Sequence, residues 1–248
     1  MRALERQRNL LALVVRQKNL TIEEACKATG ISEATARRDF NELAKRNDIE
    51  KRWGAIALNE SGEKMAPSDE RQTLNPLAKQ RIAEAACALI QDQEVILIDG
   101  GTTTLCMAPF LANRPVRILT NSLLIAHQID HLRSKPDGAE VYLTGGYLYP
   151  GSGLLVGPEA VKSLKQYHAR WAFLSVSGLD EKGGSNTNQL VVESEQAMIH
   201  QAQSIIVMAD ASKWAHKEMT RAFQWDQVET IVTNGHPPCS LSCKVTVV

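Results

Sequence analysis

The apolar positions of the first sixty residues recur at helical spacing and predict a small helical unit. A first helix over residues 3–17 has one apolar stripe, formed by Leu4, Leu11, Val14 and Val15. A second helix begins after Thr21, because Thr21 followed three residues later by Glu24 is a capping-box pattern. We expect it to end at Gly30, where glycine tolerates left-handed backbone angles, and to bury Ile22, Ala25 and Cys26.

The segment after Gly30 predicts a third helix, running to about Arg46 and beginning at Ser32 as its N-cap. Its inward face is marked by Ala36, Phe40 and Leu43. Two helices joined by a Gly-Ile-Ser turn are typical of a helix-turn-helix. Residues 49–58 predict a short β-hairpin that turns near Gly54, which makes the unit a winged helix-turn-helix.

The outward face of the third helix has the chemistry of a nucleic-acid contact. Ala34 and Arg38 point away from the apolar stripe, while Thr35 and Arg37 flank it. Small and cationic groups in the first half of such a helix can meet base edges and phosphates. The alternative is a solvated face whose arginines serve solubility. The compound pattern of helices, turn and a basic wing bearing Lys51 and Arg52 favours DNA binding.

The rest of the chain predicts a connector and then an α/β domain. Residues 59–76 contain Gly62, Pro67 and Pro76 with little apolar periodicity, so we divide the chain into a DNA-binding domain (1–58), a linker (59–76) and a larger domain (77–248). Apolar runs at 94–99, 116–120, 140–145, 171–176, 204–210 and 230–233 alternate with helical stretches. Such runs indicate a largely parallel sheet covered by helices on both faces.

Polar and small residues follow five of these strands, at 99–104, 120–122, 144–146, 175–180 and 209–213. Ligands bind at the carboxyl ends of strands in such sheets. In the first of these loops, Gly100 and Gly101 let the backbone approach a ligand, and the following threonines can hold an anion. The loop is neither a Walker A motif nor Gly-x-Gly-x-x-Gly. Ordinary turn chemistry explains one such loop, whereas five favour a ligand pocket.

Composition and charge narrow the function classes. The 248 residues have zero net charge, but residues 1–58 carry 12 basic and 8 acidic side chains and the remainder 16 and 20. A basic front end on an acidic body fits a polyanion partner for the first domain. No apolar run is long enough for a membrane helix, no signal peptide is evident, and the five cysteines are scattered. We therefore expect a cytoplasmic protein without cofactor or metal, and we interpret His127 and His131 as an exposed pair.

The segment Ser-Glu-Ala-Thr-Ala-Arg-Arg-Asp-Phe-Asn-Glu-Leu at 32–43 resembles the recognition segment of the DeoR family of bacterial transcriptional regulators. The resemblance implies that Arg37 and Arg38 lie on the DNA-facing helix, with Asp39 as a buttress for them. The expected DNA-contacting residues are Ser32, Glu33, Ala34, Thr35, Arg37, Arg38, Lys51 and Arg52.

The larger domain resembles the sensor half of the same family, which is similar in fold to ribose-5-phosphate isomerases and CoA transferases. The matching motifs are Asp-Gly-Gly-Thr-Thr at 99–103, Thr-Asn at 120–121, Gly-Gly at 145–146, Gly-Leu-Asp at 178–180 and Ala-Asp-Ala-Ser-Lys at 209–213. The family usually has Ser or Ala near position 100 or 101, so a glycine there is expected to loosen or reshape the phosphate cradle.

The resemblance also implies the roles of residues around a phosphorylated sugar. Three threonines bind the phosphate, Lys213 neutralises it, and Asn121 and Asp180 bind sugar hydroxyls. The full expected effector set is Asp99, Gly100, Gly101, Thr102, Thr103, Thr104, Asn121, Gly145, Asp180, Glu193 and Lys213.

The sequence therefore predicts a repressor of a carbohydrate catabolic operon that binds operator DNA as a homodimer or homotetramer and responds to a phosphorylated sugar. One alternative is a sugar-phosphate isomerase-like enzyme with an accessory helical domain, in which Glu193 or Asp180 would be the base. Another is an α/β body joined to a helical protein-interaction module.

Overall fold

A computed structural model of the protein describes residues 6–7, 9–10, 13–14, 19–44, 49–52, 54–58, 71–214 and 216–248. The chain divides into two units, Met1–Lys64 and Met65–Val248. Each unit has its own apolar core: the first surrounds Phe40, and the sheet of the second separates two large clusters.

The first unit is a winged helix-turn-helix, as predicted. Its described elements are β1 (Asn19–Thr21), α1 (Ile22–Thr29), α2 (Glu33–Ala44), β2 (Ile49–Arg52) and β3 (Ala55–Leu58). The Glu24 N–H donates to Thr21 Oγ1 at 3.2 Å and the Thr21 N–H to Glu24 Oε2 at 2.8 Å, so the capping box is confirmed. Gly30 ends α1 with φ +70°, and Gly54 forms the turn between β2 and β3 with φ +68°.

The core of this unit confirms most of the predicted inward residues. Ala25, Ala36, Phe40 and Leu43 are buried, and Ile22 and Cys26 pack against them. Residues 6–7, 9–10 and 13–14 are helical, with Val14 buried. Three residues of the predicted first stripe, Leu4, Leu11 and Val15, lie outside the described residues.

Asp39 does not support the DNA-facing arginines, so that prediction is wrong. Its carboxylate is buried and accepts from Arg6 Nε at 2.5 Å and Arg6 Nη2 at 3.0 Å, with Gln7 Nε2 at 3.4 Å. Successive residues of a helix differ in direction by about 100°, so Asp39 turns inward towards the first helical segment while Arg38 faces outward. It joins two elements of the fold instead.

The second unit is an α/β domain. In chain order it comprises α3 (Pro76–Cys87), β4 (Val95–Ile98), α4 (Thr102–Leu105), α5 (Ala108–Leu111), β5 (Arg117–Thr120), α6 (Leu123–Leu132), β6 (Glu140–Leu143), β7 (Tyr147–Tyr149), β8 (Leu154–Val156), α7 (Pro158–Leu164), β9 (Ala169–Leu174), β10 (Gly178–Asp180), β11 (Gly183–Asn186), α8 (Gln189–Gln201), β12 (Ala202–Met208), β13 (Thr220–Gln224), β14 (Thr230–Thr233) and β15 (Lys244–Val247).

Seven parallel strands form its central sheet, in the order β15-β14-β12-β9-β4-β5-β6. The central strands are buried on both faces, since alternate residues of β4 enter different clusters: Ile96 and Ile98 pack with α3, and Leu97 packs with α8 residues. This confirms the predicted parallel sheet covered by helices. The tail strand β15 was not predicted, because its short Lys-Val-Thr-Val run has no helix before it.

Two predictions about the strands need correction, one on burial and one on the alternation of strand and helix. The edge strand β6 exposes Tyr142 and Leu143, although its apolar run predicted burial on both faces. Small antiparallel sheets, β7-β8 and β10-β11-β13, also interrupt the predicted alternation of strand and helix. Two of these strands, Gly-Leu-Asp at β10 and Gly-Gly-Ser-Asn at β11, lack the β-branched residues by which strands are recognised.

The register of the sheet determines which loops meet. Ile98 pairs with Thr120 on one side and with Phe173 on the other, so the strands β4, β5 and β9 end almost level. The loops that follow them therefore share one rim, as expected for parallel strands. Among the described residues, no helix is both long and apolar enough to cross a lipid bilayer.

Candidate functional site

The first candidate surface lies on α2. Ser32 caps this helix: the Thr35 N–H donates to Ser32 Oγ at 3.4 Å, and the two hydroxyls lie 2.9 Å apart. Ser32, Glu33, Ala34, Arg37 and Arg38 are exposed, and Thr35 is half-buried. Arg37 forms a long ion pair with Glu33, at 3.7 Å, with both side chains in solvent. Contacts of this kind are weak, so this pair leaves Arg37 available to a partner.

The wing completes this unit. Lys51 and Arg52 lie on β2, where Arg52 is opposite Ala55 in the hairpin. Their side chains lie outside the part of the chain that the structure describes. The predicted wing is thus present as backbone, beside α2 in the same unit.

The second candidate site is a narrow cleft at the carboxyl edge of the central sheet. Loops after β4 and β9 form its walls, β11 and α8 contribute a polar side, and Lys213 lies after β12. Its lining residues are Arg71, Asp99, Gly100, Thr102, Thr103, Ser175, Val176, Ser177, Asn186, Val191, Glu195 and Lys213. Gly101 lines an adjoining depression that shares Arg71 and Thr102 with the cleft. Two cations, several hydroxyls and two carboxyl groups therefore meet in one place.

Gly100 and Gly101 are tightly enclosed, so of the two expectations, a loosened or a reshaped loop, the structure supports the second. A Cβ at Gly100 would lie 1.9 Å from Leu154 Cδ2 and 2.9 Å from Ser122 Cβ. A Cβ at Gly101 would lie 1.8 Å from Ser175 Oγ. These distances are below any real Cβ contact, so only glycine lets the loops after β5 and β9 approach this closely.

The segment that precedes and begins α3 packs against the cleft. Arg71 lies beside Asp99, and the buried Lys79 ammonium donates to the Arg71 carbonyl oxygen. Asn75 Nδ2 donates to Asp210 Oδ1 at 3.0 Å. The predicted linker 59–76 thus ends in residues that form part of the second unit; its residues 59–70 lie outside the described residues.

Asp99 and Glu195 are a carboxyl pair at the bottom of the cleft, and both are buried. Burial raises the pKa of Asp99 to about 7, and burial together with the neighbouring Asp99 raises the pKa of Glu195 well above its usual value. Asn186 Nδ2 donates to Glu195 Oε1, and Asn186 Oδ1 accepts from the Ser177 N–H at 2.7 Å. That second bond fixes the amide so that its NH₂ group faces Glu195.

Several predicted effector residues lie outside the cleft lining. Asp180 forms a two-pronged ion pair with Arg221, both N···O distances being 2.7 Å, and this hydrogen bonding lowers the pKa of Asp180 to about 2. Glu193 accepts from Gln189 Nε2 at 3.2 Å and does not line the cleft. Gly145, after β6, is exposed with open space around it.

Two further predicted residues, Asn121 and Thr104, stabilise the glycine loop of the cleft without lining the cleft. Asn121 Oδ1 accepts from the Gly100 N–H at 3.0 Å, and Thr104 Oγ1 donates to the Gly101 carbonyl at 3.0 Å. Both side chains are fully buried. They hold the glycine loop in place and do not line the cleft.

Arg71, Asn186 and Glu195 were not found by sequence reasoning, and Ser177 was included only as part of the polar segment 175–180. Asn186 and Glu195 are brought to the cleft by β11 and α8, and no local motif marks them. Glu195 lies two positions after the predicted Glu193, so the helix turns it by about 200° relative to Glu193, into the core. A helical pattern with Val191, Val192 and Met198 buried could have indicated that face.

Comparison with known proteins agrees with this two-part architecture. Residues 6–62 match the family model of the DeoR-like helix-turn-helix domain, and residues 74–235 match that of the DeoR C-terminal sensor domain. The chain is 29% identical to the HTH-type transcriptional regulator YulB of Bacillus subtilis over 239 residues, 96% of this chain and 91% of that protein. It is also 29% identical to the HTH-type transcriptional regulator UlaR of Shigella sonnei, over 94% of this chain and 92% of that protein.

Solved structures give only a coarse likeness. Ribose 5-phosphate isomerase A of Methanocaldococcus jannaschii has a TM-score of 0.41 at 17% identity, covering 57% of this chain and 55% of that one. eIF2B beta of Chaetomium thermophilum has a TM-score of 0.45 at 12% identity, covering 63% and 48%. The family models cover both units, and the chain therefore belongs to the DeoR family of DNA-binding transcriptional regulators.

Proposed function

We propose that this regulator represses a carbohydrate catabolic operon in the cytoplasm and that a phosphorylated sugar bound in the cleft controls its hold on operator DNA. The observation that carries this proposal is the meeting of Arg71 and Lys213 with the hydroxyls of Thr102 and Thr103 on one rim. Cations together with hydroxyl donors are the usual ligands of a phosphate group. The loops that follow several strands supply the remaining polar groups for a sugar.

The DNA-binding part of the proposal assigns operator contact to α2 and the wing. Arg37 and Arg38 are exposed on α2, and from there they would reach base edges or phosphates. Lys51 and Arg52 would add phosphate contacts from the wing. Two copies of the helix one turn of DNA apart multiply specificity, so the protein acts as a homodimer or homotetramer.

Two binding measurements test this function. Fluorescence anisotropy with DNA from upstream of the regulator's neighbouring genes measures operator affinity, and thermal unfolding against a panel of sugar phosphates and their unphosphorylated forms identifies the effector. A ligand at 100 times its Kd raises the free energy of unfolding by about 2.7 kcal/mol. A ligand that requires its phosphate and changes operator affinity supports the proposal. Operator binding that no phosphorylated ligand alters contradicts it.

A catalytic role is the second candidate, because Asp99 and Glu195 share the cleft and could transfer protons at a carbon beside a carbonyl group. The relatives are named as regulators, and sensing requires only that the ligand bind two states of the protein differently. We therefore assign the cleft to binding without turnover. Interconversion of aldose and ketose phosphates by the purified protein at enzymatic rates would contradict that assignment.

A further inference from the structure

The carboxyl groups of Asp99 and Glu195 in the cleft are buried, but not all of their oxygens accept a hydrogen bond from the described residues. Asp99 is 1% exposed and Glu195 is fully buried, yet Asp99 Oδ1 and Glu195 Oε2 have no hydrogen-bond donor among the described residues. Buried polar atoms in native proteins almost always have partners. The two acids come from different elements, the end of β4 and the middle of α8, so the fold brings them together at the cleft.

The two carboxyl groups interact directly, and their mutual repulsion favours a state in which they hold one proton between them. Arg71 faces Asp99 from the segment before α3, and Asn186 donates to Glu195 from β11. The pair still has a negative charge when it holds one proton. Any ligand group that replaces the shared proton must therefore itself donate hydrogen bonds.

The same cleft contains Arg71 and Lys213, which favour an anion. A ligand must satisfy both parts: one anionic group for the cations and hydrogen-bond donors for the acids. Hydroxyl and ammonium groups supply such donors. A second anionic group, such as a carboxylate, would lie against buried negative charge with no donor to offer, and juxtaposed like charges are strongly unfavourable.

We propose that Asp99 and Glu195 determine the effector class: the cleft accepts phosphate esters of neutral or amino sugars and rejects phosphorylated sugar acids. This inference rests on the proposed function, since it concerns the ligand of the same cleft. Phosphorylated sugar acids are rejected because the carboxyl pair keeps a buried negative charge. Hydroxyl and ammonium groups are accepted because they can donate to the two carboxyl oxygens that lack a donor.

The test uses the full-length protein and two matched sets of probes. The first set is glucose 6-phosphate, glucosamine 6-phosphate and 6-phosphogluconate; the second is glycerol 3-phosphate, phosphoethanolamine and 3-phosphoglycerate. Calorimetric titration measures the affinity of each. We expect the hydroxyl or ammonium member of a set to bind at least about 10-fold tighter than its carboxylate member, a difference of about 1.4 kcal/mol.

Variants separate charge from folding. Glu195→Gln keeps the size of the side chain and should reduce the preference about 10-fold, mainly by improving the carboxylate ligands. Asp99→Asn provides a second variant if Glu195→Gln unfolds, as judged by circular dichroism. Glu193→Gln is the matched control, because Glu193 is on the same helix and outside the cleft lining, and it should keep the wild-type preference.

The outcomes distinguish this inference from the function on which it rests. If phosphorylated probes bind but the carboxylate member binds equally well, or if the preference is unchanged in both cleft variants, the effector class proposed here is wrong and phosphate sensing stands. If no phosphorylated probe binds while operator binding persists, phosphate sensing fails and this inference fails with it.

Discussion

The two units of this regulator place their functional side chains in opposite ways. In the winged helix-turn-helix, most candidate DNA-contacting residues follow one another from Ser32 along α2, and the Arg37 side chain is 63% exposed. In the sensor unit, the cleft residues are distant in sequence and largely buried, with Thr103 at 4% and Asp99 at 1%. One site is a helix surface supported by a core beneath it, and the other is built from the polar interior of the domain.

This difference has a consequence for substitutions. On α2, Phe40 and Leu43 stabilise the unit while Arg37 and Arg38 face solvent, so stability and recognition depend on different residues. In the sensor unit, Asn121 and Thr104 hold the loop that Asp99, Gly100 and Thr102 present to the cleft. There the candidate binding residues and the residues that hold their loop by hydrogen bonds are close neighbours.

The largest expected effect comes from Phe40→Ala, which empties the centre of the first core. Phe40 is 2% exposed, and truncation of a buried phenylalanine costs about 3–5 kcal/mol. In a unit this small that loss abolishes folding and operator binding. The thermal unfolding transition of the sensor unit, and its response to a bound sugar phosphate, should persist. Simultaneous loss of both units would show that they are not stable independently.

Lys213→Ala tests the cleft of the sensor unit. Lys213 is a partly exposed cation of the cleft, so its removal should weaken a phosphorylated ligand about 10- to 150-fold, the loss of a charged hydrogen bond of about 1.5–3 kcal/mol. Operator affinity without ligand should remain at the wild-type value. Calorimetry with the sugar phosphate found in the thermal panel measures the change, and Lys217→Ala, outside the cleft lining, is the control. Equal losses of ligand affinity in both variants would mean that the ligand responds to the overall charge of the domain and not to a contact with Lys213.

Arg38→Ala tests recognition on α2. If Arg38 reads a base, operator affinity falls by about 1–3 kcal/mol, a factor of roughly 5–150, and discrimination against altered operators is reduced. If it contacts a phosphate instead, the slope of affinity against salt concentration decreases by about one. Anisotropy titrations at several salt concentrations distinguish these results. Lys27→Ala on α1 is the charge-matched control, and unchanged affinity in the Arg38 variant would remove it from the interface.

The same contrast explains how far the sequence predicted the molecule. The capping box at Thr21, the stop at Gly30 and the inward face of α2 are local patterns, and all are confirmed. Asp39 was assigned to the wrong partner because only the tertiary fold brings Arg6 beside it. The parallel sheet was also predictable, since its central strands are continuous apolar runs with helices between them.

The cleft was predictable only in part. The Asp-Gly-Gly-Thr-Thr loop and Lys213 line it, because a strand end followed by glycines and hydroxyls is itself a local signal. Arg71, Asn186 and Glu195 reach the cleft through the packing of the segment before α3, of β11 and of α8, which no spacing in the sequence specifies. Asp180 shows the reverse case: it looks like a ligand in sequence, but Arg221 on β13 occupies both of its oxygens.

Measured per pH unit, the smallest expected effect is the pH dependence of the free energy of unfolding, and it separates the buried site from the exposed one. Burial raises the pKa of Asp99 from 3.8 to about 7, so between these values the folded protein binds more protons than the unfolded chain. The free energy of unfolding therefore decreases as pH rises through this window, by at most about 1.4 kcal/mol per pH unit for one group. Asp99→Asn should flatten the decrease, and Arg38→Ala should not. Urea unfolding of both variants from pH 4.5 to 8 measures the slopes; parallel curves for wild type and Asp99→Asn would contradict a raised pKa at the cleft.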